Sequence, residues 1–251
     1  MRSNYRDIDP PTRLILGLLL RGRSAINSIK FKEAEYLGDP INLIRIFSEK
    51  NCSEGAILSK SAGQVGIEYS VLESIARVAR FPLSYGGGIR SLSDIDRVIS
   101  IGYEKVILSG DLTKGLVAPA VTKYGSSAIV ACLNVKSNWL GRLSLYENKL
   151  EHNINDLREA IKYCQELGVG EIIINSVEDD GCLSGLNEKI IKISDEFMNS
   201  MNLIYYGGVR DFDDVVSATS AGYSGVCASS FLTFLGDEKG ILPTYPREKI
   251  G

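Results

Sequence analysis

GGIRSLSDIDRVISIGYEKVILSG (87–110) aligns without gaps to GGVRDFDDVVSATSAGYSGVCASS (207–230), half a chain further on. Gly87, Gly88, Arg90, Asp94, Ser100, Gly102, Tyr103, Val106 and Ser109 all have identical counterparts 120 residues later. Each copy reads as a Gly-Gly turn, an amphipathic helix and a short apolar strand. A repeat of this kind marks one supersecondary unit used twice. Working outward, GLLLR (17–21) resembles CLNVK (132–136), so the duplication extends to the first and fifth strands.

Eight short apolar runs punctuate the chain. They are LILGLLL (14–20), AILS (56–59), PLSY (82–85), KVILS (105–109), SAIVACLNV (127–135), EIIINSV (171–177), NLIYY (202–206) and GVCAS (225–229). Their length and β-branched content favour strands. Helical periodicity lies between most of them, as in 41–50, 93–102, 155–168 and 212–222. Alternation of this kind demands parallel strands with right-handed crossovers. Eight units in 251 residues fit one α/β domain spanning 1–251, a closed (β/α)₈ TIM barrel of two similar halves. An open dinucleotide-binding sheet is disfavoured, because no GxGxxG follows the first strand. The stretch 138–154 reads as a hairpin inserted after strand five, and the last helix, around LGDEKGILPTYP, as weak.

Composition excludes several function classes. With 44% hydrophobic residues, 24% charged residues and a net charge of −3, nothing points to nucleic acid or an anionic membrane. No apolar run is long enough to span a bilayer, and the polar MRSNYRDIDPPTR start is not a signal peptide, so the cytoplasm is expected. Five scattered cysteines form no CxxC pair and read as structural thiols. The single histidine, His152, lies in a polar stretch and reads as a surface residue. One histidine argues against a Ser–His–Asp hydrolase, and neither a metal nor a cofactor is expected.

The Gly-Gly turns suggest anion sites. Glycine lets backbone amides approach an anion closely, and the following helix adds its N-terminal potential. One site would use Gly88, Ser109 and Gly110; the other Gly181, Gly207, Gly208, Ser229 and Ser230. Tight turns alone would also explain the glycines, but two copies on one barrel mouth fit an elongated ligand with two phosphates.

GDPINLIRIFSEK (38–50), YGGGI (85–89), GEIIINSVEDDG (170–181) and YYGGVRDFDD (205–214) resemble the cyclase subunit of imidazole glycerol phosphate synthase, over nearly the whole chain. That resemblance implies a glutaminase docked on the N-terminal face, whose ammonia crosses the barrel to a bisphosphorylated substrate. It also implies an acid–base pair of aspartates ending strands one and five. Here Leu19 and Asn134 stand at those positions, and Ser59 replaces an aspartate of the second strand. Leucine carries no proton and an amide is not basic near neutrality, so the usual cyclisation is expected to be absent or slow, by about 10²–10⁴-fold per lost group. Asp180 matches a carboxylate of strand six; Asn134 and Asp180 are the remaining catalytic candidates. Arg13, Glu54, Lys105 and Glu171 match the salt-bridge gate of the ammonia channel. Two charges of each sign make a neutral ring, the form in which buried charge is tolerable.

The combination resembles a paralogous branch associated with glycosyl amidation in bacterial surface-polysaccharide biosynthesis. LGLLLRG (16–22), IKFKEAEYLGDPIN (29–42) and GILPTYP (240–246) carry that likeness. It implies a separate sugar amidotransferase as the consumer of ammonia. Three readings follow: an ammonia-conducting subunit, a working cyclase, or a non-catalytic phosphosugar-binding scaffold. Lys105→Ala is expected to disturb ammonia transfer, and Gly208→Asp to weaken phosphate binding.

Overall fold

A computed structural model describes residues 13–137, 141–235 and 240–249. The barrel strands are β1 (Leu14–Arg21), β2 (Gly55–Ser59), β3 (Leu83–Gly86), β4 (Lys105–Leu108), β5 (Ile129–Ser137), β6 (Glu171–Ser176), β7 (Asn202–Tyr206) and β8 (Gly225–Ala228). Eight parallel ladders join them in chain order, and β8 closes on β1 through Leu14–Val226, Ile15–Cys227 and Leu16–Ala228. The (β/α)₈ expectation is met, with strand boundaries shifted by at most two residues.

Barrel strands are buried on both faces, which is why LILGLLL is continuously apolar. Leu14, Leu16, Leu18 and Leu20 pack outward against the helices. Ile15 and Leu19 point inward with Ala56, Ile107, Val130, Cys132, Ile173, Ile204, Tyr206 and Cys227. The barrel interior is thus an apolar plug between two polar mouths.

The duplication survives in three dimensions. Ser91 and Asp211 cap their helices (Leu92–Ile101 and Phe212–Ser220), accepting from the amides of Asp94 and Asp214 at 3.2 and 3.0 Å. Asp94 and Asp214 accept in return from the amides of Arg90 and Arg210 at 3.1 and 2.9 Å. This reciprocal cap satisfies donors that a helix start leaves open. Tyr85 meets Tyr103 edge-on at 6.0 Å, and Tyr205 meets Tyr223 edge-on at 5.5 Å. Identity at Asp94 and Tyr103 therefore has a packing cause in both halves.

Two features depart from the sequence reading. After β1 the chain makes an antiparallel arm, Ser24–Ile29 and Glu33–Gly38, before the first barrel helix, Pro40–Glu49. After β8 the described residues form one helical turn (Ser230–Thr233) and a two-stranded ladder, Phe234–Leu235 with Gly240–Ile241, in place of the expected last helix. Tyr245 then tucks its hydroxyl onto the carbonyl of Leu14 at 2.7 Å. The inserted hairpin is present: Leu143–Leu145 pairs antiparallel with Val135–Ser137 of β5. Residues 1–12, 138–140 and 236–239 and the side chain of His152 lie outside the described residues, so the readings of those stretches stay as expectations. All five cysteines are free thiols. Among the described residues no helix is long and apolar enough to cross a membrane.

Candidate functional site

The C-terminal ends of the strands open on a cavity of about 200 Å³ lined by Leu19, Asn134, Asn175, Asp180, Lys60 and Phe31, among others. Leu19 and Asn134 thus share one mouth, as their half-barrel equivalence requires. Leu19 is only 6% exposed and belongs to the interior apolar cluster. Asn134 is locked by neighbours: its Nδ2 donates to Ser109 Oγ at 3.1 Å, and its Oδ1 accepts from Asn175 Nδ2 at 3.1 Å. Asn148, from the hairpin after β5, donates to the carbonyls of Ser109 and Cys132 at 2.8 Å each and accepts from the amide of Asn134 at 2.9 Å. These amides hold the floor of the mouth rigid and supply no proton-transfer group near neutrality. The Cys132 thiol is pushed up to about 12 by burial and is inert.

Asp180 is 4% exposed, and its Oδ2 accepts from Ser28 Oγ at 2.8 Å. Burial raises its pKa; the hydrogen bond from Ser28 and the charge of Lys60 oppose that rise. Ser28 sits on the antiparallel arm, which is fastened again by Lys30 N to the carbonyl of Asp180 at 2.9 Å and by Ser230 Oγ to Asn27 Oδ1 at 2.8 Å. The arm places Phe31 over the mouth. Its tip, Lys30-Phe31, has φ of 51° and 63°, left-handed values that cost non-glycine residues about 1–3 kcal/mol each.

Asp180 also borders a second, small cavity with Gly181, Gly207, Gly208, Ser229 and Ser230. The structure therefore gathers all five residues of the second candidate anion site. Gly207 and Gly208 have φ of 92° and 84°, and a Cβ on Gly208 would lie 2.5 Å from the carbonyl oxygen of Gly185. This corrects one expectation: Gly208→Asp would break the turn before it tested anion binding. In the first candidate site, Gly88 is packed on the Ala62 backbone, with a Cβ at 2.7 Å from the Ala62 carbonyl oxygen. Ser109 Oγ there is engaged by Asn134, while Gly110 stands open. The two sites are thus unequal despite the repeat: the second lines a small cavity of its own, whereas Ser109 of the first is already engaged; Gly88, Gly207 and Gly208 alike have close backbone neighbours.

At the opposite mouth the four charges meet in a closed ring. Arg13 Nε and Nη2 donate to Glu54 at 2.7 and 2.8 Å, and Arg13 Nη1 donates to Glu171 at 2.7 Å. Lys105 Nζ lies 2.9 Å from Glu171 and 3.9 Å from Glu54. The four residues come from the starts of β1, β2, β4 and β6, so charge sign alternates around the barrel. Gly225, the half-barrel counterpart of Lys105, carries no side chain, and Arg13 Cδ lies against it, 3.3 Å from where a Cβ would be. Burial alone would raise the pKa of Glu171; hydrogen bonds and charge from Arg13 and Lys105 outweigh it and hold the carboxyl below its ordinary value.

Sequence reasoning missed Lys60, Asn148, Asn175, Ser28 and Phe31. Lys60 had a usable signal, a charged residue directly after the apolar run of β2, at the barrel end where chemistry resides. The others reach the mouth only through the arm, the hairpin and the partner strand.

Residues 16–236 match the family model described as histidine biosynthesis protein. A protein from Leptospira borgpetersenii named "Putative imidazole glycerol phosphate synthase subunit HisF" is 33% identical, over 93% of this chain and 94% of its own length. A "Putative imidazole glycerol phosphate synthase subunit hisF3" from Vibrio vulnificus is 32% identical, over 94% and 93%. A hisF2 counterpart from Pseudomonas aeruginosa is 31% identical, over 93% and 95%.

Proposed function

The chain belongs to the histidine biosynthesis protein family, and on that premise we propose that it is the synthase-type barrel subunit of a glutamine-dependent amidotransferase complex. A glutaminase docks on the N-terminal face, and its ammonia enters past Arg13, Glu54, Lys105 and Glu171. The observation that carries this reading is the closed, sign-alternating ring beneath an apolar interior. Neutral ammonia can cross such an interior, whereas ammonium would lose its hydration and be rejected. The ring keeps bulk water out and opens by swinging one cation away from two glutamates.

At the upper mouth the cradle of Gly181, Gly207, Gly208, Ser229 and Ser230 holds a phosphate of the ligand. Leu19 and Asn134 leave the usual cyclisation without its acid–base pair. We therefore take the ammonia to serve a separate amidotransferase acting on a surface-polysaccharide sugar. The competing reading, a working cyclase, is favoured by the names of the relatives over nearly the full chain. Complementation of a cyclase-deficient histidine auxotroph separates the two: growth would refute the separate amidotransferase while leaving the conduit reading standing. Co-purification with a glutaminase and acceleration of its turnover support it.

A further inference from the structure

Two polar atoms at the upper mouth have no hydrogen-bond partner: Lys60 Nζ and Asn175 Oδ1 are both shielded from solvent, Lys60 Nζ meeting only the face of the Phe31 ring. Both residues line the same cavity, whose other walls are largely apolar, with Leu19, Leu58, Ile107 and Cys132. An unpaired buried polar group costs stability and asks for an explanation. Lys60 Nζ stands 4.8 Å from the centre of the Phe31 ring, which covers it. Phe31 is carried on the strained Lys30-Phe31 tip, so moving that tip uncovers the amine. Asp180 borders both this cavity and the small glycine-lined cradle beside it.

We propose that Lys60 is a carbonyl-capturing amine, forming an imine with the aldehyde or ketone of a phosphorylated sugar whose phosphate lies in the Gly207–Gly208 cradle. The proposal rests on the cradle being a phosphate site. It adds the chemical class of the ligand and a covalent role that the ammonia-conduit reading does not contain. Each open valence of the mouth is met by one part of such a ligand. Its hydroxyls donate to Asn175 Oδ1, and its carbonyl carbon meets Lys60 Nζ.

The Nζ lone pair attacks the carbonyl carbon, and the carbonyl oxygen takes up the proton that nitrogen loses. Asp180 then protonates the hydroxyl of this carbinolamine, the C–O bond breaks, and water leaves as nitrogen forms the C=N bond. One amine and one carbonyl give one iminium and one water, the proton coming from Asp180. No oxidant or reductant is needed. Burial lowers the basicity of Lys60, so more of it is free amine; the charge of Asp180 opposes this, that of Arg21 reinforces it and that of Glu147 opposes it. Burial also helps Asp180 keep its proton.

The test incubates the full chain with D-ribose 5-phosphate and cyanoborohydride and maps adducts by peptide mass. The expected result is a reduced adduct at Lys60, its mass gain equal to the sugar phosphate less one oxygen. It should form about ten-fold faster than at any other lysine, and about ten-fold slower with unphosphorylated ribose or in Asp180→Asn. Lys60→Arg keeps the charge and should lose that adduct alone. Labelling spread over many lysines with no preference for Lys60 overturns the proposal. Calorimetric binding of ribose 5-phosphate without a Lys60 adduct also overturns it, while leaving the cradle intact. A selective Lys60 adduct formed equally fast with ribose supports the amine and overturns the phosphate cradle.

Discussion

Asn175 donates its side-chain amide to Asn134 Oδ1 at 3.1 Å, so the position where the family resemblance expects a carboxylate is part of an amide pair. Asn134→Asp keeps an acceptor for Asn175, and Ser109 can turn its hydroxyl to donate. The variant should fold but buries a carboxylate, so it should cost about 1–3 kcal/mol at neutral pH and less in acid. It should still fail to rescue a cyclase-deficient auxotroph, because Leu19 continues to occupy the other proton-transfer position. Urea denaturation and complementation check both halves of this statement.

The ring predicts a strong asymmetry between its two cations. Arg13 bonds both glutamates within 2.8 Å, whereas Lys105 is close to only one. Arg13→Ala should cost about 3 kcal/mol and Lys105→Ala about 1 kcal/mol, since the side chains are 12–25% exposed and partly screened. The double variant should be non-additive, because both cations serve the same carboxylates. Chemical denaturation of the four proteins measures the cycle.

Asp180 and Glu171 predict opposite pH effects. Glu171 is held below its ordinary value, so its contribution is present above the unfolded pKa and fades as pH falls through the folded one. Asp180 is raised by burial, so it carries no penalty in acid and destabilises the fold as pH rises through that raised value. Asp180→Asn should therefore raise the melting temperature at pH 7 and leave it unchanged in acid, where Asp180 is protonated folded and unfolded alike. Melting curves across pH for wild type and variant decide it.

Gly17 predicts the tolerance of the Gly207–Gly208 cradle. A Cβ there would lie 2.7 Å from Ser229 Oγ, 3.1 Å from Cys227 Sγ and 3.3 Å from Tyr206 Oη. Gly17→Ala should cost about 1–3 kcal/mol through overpacking. It should also weaken ribose 5-phosphate binding by displacing Ser229, as Ser229→Asp should by charge repulsion; calorimetry reads both.

Much of the barrel was legible from sequence because its physics is periodic. LILGLLL and EIIIN could only be strands buried on both faces, and closure then forces Arg13, Glu54, Lys105 and Glu171 toward one mouth. Asn134 was legible through its equivalence to Leu19 in the repeat. The arm at 24–38 was not, because SAINSI and EAEYLG lack a strong apolar alternation and pair mainly through backbone. Phe31 meets Lys60, and Ser28 meets Asp180, only once that arm folds over. The close approach of Gly88 to the Ala62 backbone, and of Gly208 to that of Gly185, was likewise not legible, because no local pattern announces such a contact.

Ammonia entry through the Arg13–Glu54–Lys105–Glu171 mouth is what the proposed function stands on. The most direct measurement is glutamine turnover by the glutaminase of the same genome, with and without this chain. Conduction through that mouth predicts a one-to-one complex and about a ten-fold or greater acceleration, with ammonia leakage into solution rising in Lys105→Ala while the complex persists. No complex and no acceleration, or a Lys105→Ala protein that leaks no more than wild type, would contradict it.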